Sequence, residues 1–277
     1  MIDGEPLSYQ GAGGTTLRYR VIRASPERHA LLYLHGIESH GAWFLRAARG
    51  LAARGCTTWL LDRRGSGLNR DGHEDHDGDA ESAEVLLEDV QRFRAHAGLG
   101  SVVLVGLSWG GKLAVAAALD EPAGVRALVL ITPGLVPRVD LSLRNKVRAL
   151  ASLAGGGHAP IDLPIEPEMF TRTPRWLDYI EHDPDRLTAV TARFLLASRT
   201  LDRRLRDDGA ALTAPVLLLL AGHDRIIDNE RTLALLQRLC RAGLRVSRYE
   251  DSTHSIQFDD TTRLVDDVGA FLEEAAC

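Results

Sequence analysis

Five stretches of the chain are apolar almost without interruption: "ALLYLHG" (30–36), "CTTWLLD" (56–62), "SVVLVGL" (101–107), "RALVLIT" (126–132) and "PVLLLLAG" (215–222). Runs of this length, rich in branched side chains, read as strands buried on both faces. "LRYRVIR" (17–23) alternates instead, as a strand with one exposed face does, and "RVSRYED" (245–251) predicts a last strand. Between them the apolar positions recur with helical spacing over about 42–54, 80–97, 109–120, 231–242 and 262–275. Strand followed by helix, repeated, predicts an α/β fold with a parallel sheet flanked by helices. Ligands of such sheets collect beyond the carboxyl ends of the strands.

Residues 134–212 interrupt the alternation. They contain no convincing strand, are rich in Pro and Arg, and carry helical patterns near 141–154 and 174–206 with the loop "GGGHAPIDLPIEP" between them. The segment reads as a helical cap inserted between two core strands, leaving a core made of 1–133 and 213–277. Leu143, Val147, Leu150 and Leu153 recur at three and four residues, interleaved with Arg144, Lys146 and Arg148. This stripe is expected to pack onto the sheet edge, with contact to lipid as the second reading.

Composition narrows the class. With 277 residues and 45% hydrophobic content, the chain can build one sizeable α/β domain or two small ones. A net charge of -5 lacks the basic excess of a nucleic-acid binder. The opening "MIDGEPLSYQGAGG" has no basic or apolar leader pattern, and no run is long enough to span a bilayer, so a cytoplasmic protein is expected. Cys56, Cys240 and Cys277 are odd in number and widely spread, which argues against a disulfide framework or a zinc site. The loop "NRDGHEDHDGDAE" (69–81) gathers His73, His76 and several acids, but on a glycine-containing connection with nothing to hold ligands in place, so a solvated loop is expected rather than a metal site.

The chemistry points to "GLSWGG" (106–111), where one serine interrupts a good strand. A tight strand-to-helix turn there pushes the Ser108 hydroxyl out of the sheet and requires Gly106 and Gly110 because neighbouring backbone passes close. The helix starting at Trp109 aims its free N–H groups at the same place, where negative charge would develop on an attacked carbonyl. A serine nucleophile needs a base and an orienting carboxylate. Among ten histidines, His254 in "YEDSTHSIQF" stands just beyond the last predicted strand, at the sheet edge that carries Ser108. Asp224 in "LLLLAGHDRIID" is the first carboxylate after its strand; Asp228 better caps the helix near Asn229, and Asp251 would have to fold back. Gly36 ends another strand and lets the next N–H, on Ile37, face the nucleophile, so Ile37 and Trp109 form a two-donor oxyanion hole and Gly36, Ile37 and Trp109 bind substrate. His35 reads as a buried structural residue.

"LHGIESHGAW", "LLDRRGSGLN", "GLSWGGKLA", "AGHDRIID" and "STHSIQF" together resemble the α/β-hydrolase superfamily, in its branch of monoacylglycerol lipase-like and lysophospholipase-like serine hydrolases. The resemblance spans about 30–260 and is weakest in the cap. It implies an eight-stranded, mostly parallel sheet, a mobile cap, ester hydrolysis, and no metal or organic cofactor. Carried over by position, it makes Ser108 the nucleophile, Asp224 the acid, His254 the base, and Ile37 with Trp109 the oxyanion donors. The chain departs from many relatives at Leu107, Trp109 and Ser66. The expected substrate is a monoacylglycerol-like or other acyl ester, with a thioesterase or acyltransferase as the alternative on the same triad and a non-catalytic ligand-binding homologue less favoured. An aminopeptidase would need a cap carboxylate, for which Glu166, Glu168 and Asp178 are available. An aspartate nucleophile, as dehalogenases and epoxide hydrolases require, is excluded by Ser108.

Overall fold

All five apolar runs become strands. In the computed structural model, which describes residues 4–73, 76–207 and 209–275, the main strands are β1 (Leu7–Gln10), β2 (Thr16–Ile22), β3 (His29–Leu34), β4 (Cys56–Leu61), β5 (Val102–Leu107), β6 (Val125–Ile131), β9 (Val216–Ala221) and β10 (Leu244–Tyr249). They form one sheet in the order β1-β2-β4-β3-β5-β6-β9-β10. At one edge β1 pairs antiparallel with β2, and β2 antiparallel with β4; from β4 to β10 every neighbouring pair is parallel. Four-residue β1 is too short to have shown a period in the sequence.

The helices are α1 (Leu45–Ala52), α2 (Ala83–His96), α3 (Trp109–Asp120), α8 (Asn229–Leu239), a single turn α9 (Ile256–Asp259) and α10 (Thr261–Glu274), with α4 to α7 in the segment between β6 and β9. Side chains alternate across each central strand. Leu32, Leu34, Leu104, Leu218 and Leu220 share one core with α2, α3 and α8, while Leu31, Tyr33, Val103, Val105, Leu217 and Leu219 share the other with α1 and α10. Two helix layers bury both faces, so the strands could be read only as continuous apolar runs. The chain reverses its winding between β3 and β5, which opens a crevice at their carboxyl ends.

Residues between β6 and β9 fold into α4 (Leu143–Leu153), β7 (Pro160–Asp162), α5 (Pro167–Phe170), α6 (Pro174–Glu181), β8 (Ala189–Thr191) and α7 (Ala192–Arg206). Two expectations are corrected here. The segment does contain strands, because β7 and β8 pair antiparallel; three residues each leave no alternation to read. The stretch 174–206 is two helices, broken where Pro184 disfavours a helical residue before it. Through Phe194, Ala197, Leu201 and Leu205, α7 joins the core layer of α2 and α3.

A third correction concerns α4. Its stripe does not pack on the sheet edge: Leu143 is 78% exposed, Val147 58% and Leu150 70%, and no residue of the helix is buried. Periodicity reveals an amphipathic face but not what covers it. Among the described residues no helix is long and apolar enough to cross a membrane. Cys56 is buried and Cys240 half-buried, both as free thiols; Cys277, and Glu74 and Asp75 of the acidic loop, lie outside the described residues. In that loop His76 Nδ1 lies 2.7 Å from Asp71 Oδ2 at an exposed position.

Candidate active site

Ser108 links the end of β5 to the start of α3 with φ 51° and ψ -123°, a left-handed conformation that a non-glycine residue adopts only under constraint. The constraint is visible. Ser108 N–H donates to Ile131 O at 3.0 Å, and Ser108 O accepts from Gly111 N at 2.9 Å and Gly134 N at 2.6 Å. A Cβ on Gly110 would stand 2.0 Å from Leu34 O, and one on Gly106 2.5 Å from Gly111 Cα, so α3 can lie this close to β3 and β5 only with glycine at both places.

Two neighbouring loops bring in the acid and the imidazole. After β9, Asp224 turns back so that its Oδ1 accepts from the N–H groups of Ile226 (2.8 Å) and Ile227 (2.9 Å). Its Oδ2 lies 2.8 Å from His254 Nδ1. The carboxylate oxygen accepts, so Nδ1 carries the proton, and in the neutral imidazole Nε2 is the nitrogen left to accept one. Both side chains are buried, and among the described residues His254 Nε2 has no hydrogen-bond partner. Thr132 Oγ1 donates to His254 O at 2.8 Å, tying the histidine loop to the turn after β6 that also holds Ser108. Asp228 caps α8, accepting from Arg231 N at 3.0 Å, and Asp251 is exposed; neither reaches His254.

The loop after β3 packs against the serine. A Cβ on Gly36 would meet Ser108 Cβ at 3.2 Å and Ser39 Oγ at 3.1 Å. Gly36 N–H donates to Ser39 Oγ, and Gly36 O accepts from His35 Nδ1 at 2.7 Å. His35 Nε2 accepts from Arg63 N–H at 2.9 Å, so both ring nitrogens are engaged. Burial, with the Arg63 charge beside it, holds this imidazole well below the usual histidine range, hence neutral. Ile37 follows Gly36, and Trp109 opens α3 with one of the amides a helix leaves without an internal acceptor. The Trp109 indole turns under α7: its Nε1 donates to Ser198 Oγ at 2.9 Å and its ring lies 4.9 Å from Phe194. Lys112, one turn on, bonds Ser198 Oγ (3.1 Å) and Asp202 (2.7 Å); burial pulls its amine below the normal range, opposed by Asp202.

Several residues here escape sequence reasoning. Glu38 is buried and ion-paired with Arg186 at 2.7 Å; burial pushes its carboxyl up to about 7 against the pull of that guanidinium. His40 Nε2 and Trp43 Nε1 both meet Asp183 Oδ2, at 2.9 and 2.5 Å, and Leu187 N–H donates to Glu38 O at 2.9 Å. Phe170 O accepts from Ser255 N and Thr253 Oγ1, both at 2.8 Å, beside His254. The segment between β6 and β9 thus clasps the Gly36 loop, the histidine loop and α3. These partners lie 83 to 148 residues apart, with no shared pattern. The carboxylates Glu166, Glu168 and Asp178, in the segment between β6 and β9, are all exposed. His40, Asp183 and Asp185 could in principle surround a metal, but His40 and Trp43 already use the Asp183 oxygen. An apolar wall of Trp43, Ile165, Phe170, Ile180, Ile227 and Phe258, with Ile37 packed against it, stands beside these loops.

A mostly parallel eight-stranded sheet between helix layers, with a strained serine elbow and a buried carboxylate–imidazole pair at the strand ends, defines an α/β hydrolase. The family model described as serine aminopeptidase, S33 matches residues 25–274, and the chain belongs to this family of serine hydrolases. It is 26% identical to a monoacylglycerol lipase of Mycolicibacterium smegmatis over 96% of this chain and 95% of that one. It is likewise 26% identical to an N-formylmaleamate deformylase of Pseudomonas putida, over 95% and 97%. In fold it resembles a soluble variant of monoglyceride lipase from Saccharomyces cerevisiae, solved with a substrate analog, at TM-score 0.84 and 15% identity over 99% and 96% of the two chains.

Proposed function

We propose that the protein hydrolyses acyl esters of the monoacylglycerol kind through an acyl-enzyme on Ser108, with His254 as base, Asp224 as its orienting acid, and the N–H groups of Ile37 and Trp109 as oxyanion donors. One observation carries the reading: a buried imidazole whose Nδ1 is committed to Asp224 and whose Nε2 has no partner among the described residues, on a loop that Thr132 ties to the turn after β6 holding the strained Ser108. In the first half-reaction Ser108 Oγ attacks the ester carbonyl as its proton passes to Nε2. The oxyanion is held by the two amides, and the ester C–O bond breaks as His254 returns the proton to the alcohol. Water then attacks the acyl carbon, giving its proton to His254, which passes it to the departing Ser108. Gly36, Ile37 and Trp109 line the carbonyl position.

Residues 134–212 act as a cap over a core formed by 1–133 and 213–277. The apolar wall around Trp43 and Phe170 suits an acyl chain better than a polar substrate. The exposed stripe of α4, flanked by Arg144, Lys146 and Arg148, provides transient contact with lipid. The exposure of Glu166, Glu168 and Asp178 counts against amine recognition by those carboxylates.

The test is release of free acid from short-chain esters, long-chain 1-monoacylglycerols and acyl thioesters, with Ser108→Ala in parallel. Turnover that grows with chain length and vanishes in the variant supports the lipase reading. Serine-dependent turnover confined to thioesters, or acyl transfer to an added alcohol in place of free acid, replaces it with the alternative acyl-enzyme activities. Full turnover by Ser108→Ala overturns the site assignment.

A further inference from the structure

We propose that Arg63 and His35 are positioning residues for the oxyanion site, polarising the Gly36–Ile37 peptide from its carbonyl side so that the Ile37 N–H becomes a stronger donor. The inference rests on the reading of Ile37 as an oxyanion donor. Gly36 O receives two donors, His35 Nδ1–H at 2.7 Å and Arg63 Nη1 at 3.4 Å. A planar trans peptide holds its C=O and N–H antiparallel, so the Ile37 N–H projects away from both. Hydrogen bonds in series strengthen one another, and most so in a buried, low-dielectric setting.

The cation is placed to do more than brace a loop. The guanidinium is buried, and among the described residues no carboxylate stands within ion-pair distance of it. Its remaining contacts are Ile37 O (3.2 Å), Ser66 Oγ (2.9 Å) and the rings of Trp109 (4.9 Å) and Phe194 (4.6 Å). One buried charge, with Asp62 as an electrostatic neighbour but no direct ion-pair partner among the described residues, therefore touches the residues assigned both oxyanion amides. A negative charge developing at that site is its complement. His35 can serve only as the neutral Nδ1–H tautomer, and the Arg63 backbone N–H donating to Nε2 selects that tautomer.

The experiment compares Arg63→Met and Arg63→Lys with the wild type, using Ser108→Ala as control. Steady-state kinetics on a soluble short-chain ester are read alongside the carbon-13 signal of a trifluoromethyl ketone labelled at its carbonyl, which reports the pH at which the enzyme-bound hemiketal oxyanion takes a proton. In Arg63→Met, kcat is expected to fall about 10- to 100-fold with KM changed by less than about 2-fold, and the hemiketal to protonate at higher pH. Arg63→Lys, which keeps the charge and can reach one carbonyl, is expected to recover most of both. Unchanged kcat and an unchanged hemiketal titration in Arg63→Met overturn the inference. So does a loss that Arg63→Lys repeats in full, or one that tracks only the folded fraction. Hemiketal formation by Ser108→Ala, or none by the wild type, would instead overturn the underlying site assignment, and the inference with it.

Discussion

Asp224 shows how little freedom the site leaves a single side chain. Both of its oxygens are spoken for, Oδ1 by two backbone amides and Oδ2 by His254. An Asp224→Asn carboxamide can keep the amide contacts only by presenting its NH2 to Nδ1, which inverts the tautomer. A kcat loss of about 10⁴-fold with little change in KM is expected on any ester the enzyme turns over, and near-wild-type kinetics would remove Asp224 from the triad. Glycines 36 and 110 separate two kinds of close approach. Gly110→Ala drives a Cβ into the Leu34 carbonyl, which cannot yield, so a loss of about 3 kcal/mol or more is expected in denaturant titration. Gly36→Ala meets the Ser39 and Ser108 side chains at 3.1 and 3.2 Å and needs only a small shift. Its stability should stay within about 1 kcal/mol of wild type while kcat falls about 10-fold or more, because the loop that moves carries Ile37.

Helix α3 carries the elbow at one end and is tied to α7 along its length. The buried Lys112 is paired with Asp202, which keeps about a fifth of its side chain in water. Removing one partner strands the other charge, so Asp202→Asn should cost about 2 kcal/mol, and Lys112→Met less, because it removes the charge that needs a partner. Melting temperatures equal to the wild type in both variants would show that the pair contributes nothing. Helix α4 faces the opposite situation, with apolar surface covered by nothing among the described residues. Leu143→Ser combined with Leu150→Ser should leave hydrolysis of a dissolved short-chain ester intact and lower hydrolysis of vesicle-embedded monoacylglycerol about 10-fold. Equal rates on vesicles would rule out lipid contact through this face.

At the scale of the molecule, the segment between β6 and β9 is bound to the core through buried polar groups that titrate. Glu38, held up to about 7 from an ordinary value of 4.5, binds more protons folded than unfolded between those values. Its contribution is therefore fully present below about 4.5 and is lost as pH rises through 7. Glu38→Gln abolishes that dependence and can still accept from Arg186, so its melting temperature relative to wild type should climb from pH 4.5 to pH 7. A constant offset across that range would mean that Glu38 stays ionised. The same carboxylate joins the loop after β3, which carries Gly36 and Ile37, to Arg186, so the clasp reaches the loop proposed to hold the oxyanion.

The amino-acid order alone determined the layered α/β fold, because strands buried on both faces must be continuously apolar and the helices between them must carry an apolar stripe. It also displayed Ser108 directly after its strand and Asp224 and His254 in the short loops that follow theirs, where local geometry depends on near neighbours. The pairing of β7 with β8, the break between α6 and α7, and the bareness of α4 were decided by tertiary structure, since short or amphipathic elements take their state from what packs against them. So were the partners of Arg63, His35, Glu38 and Asp183. A buried charge is specified by the groups that close around it, and these come from loops that only the folded sheet brings together.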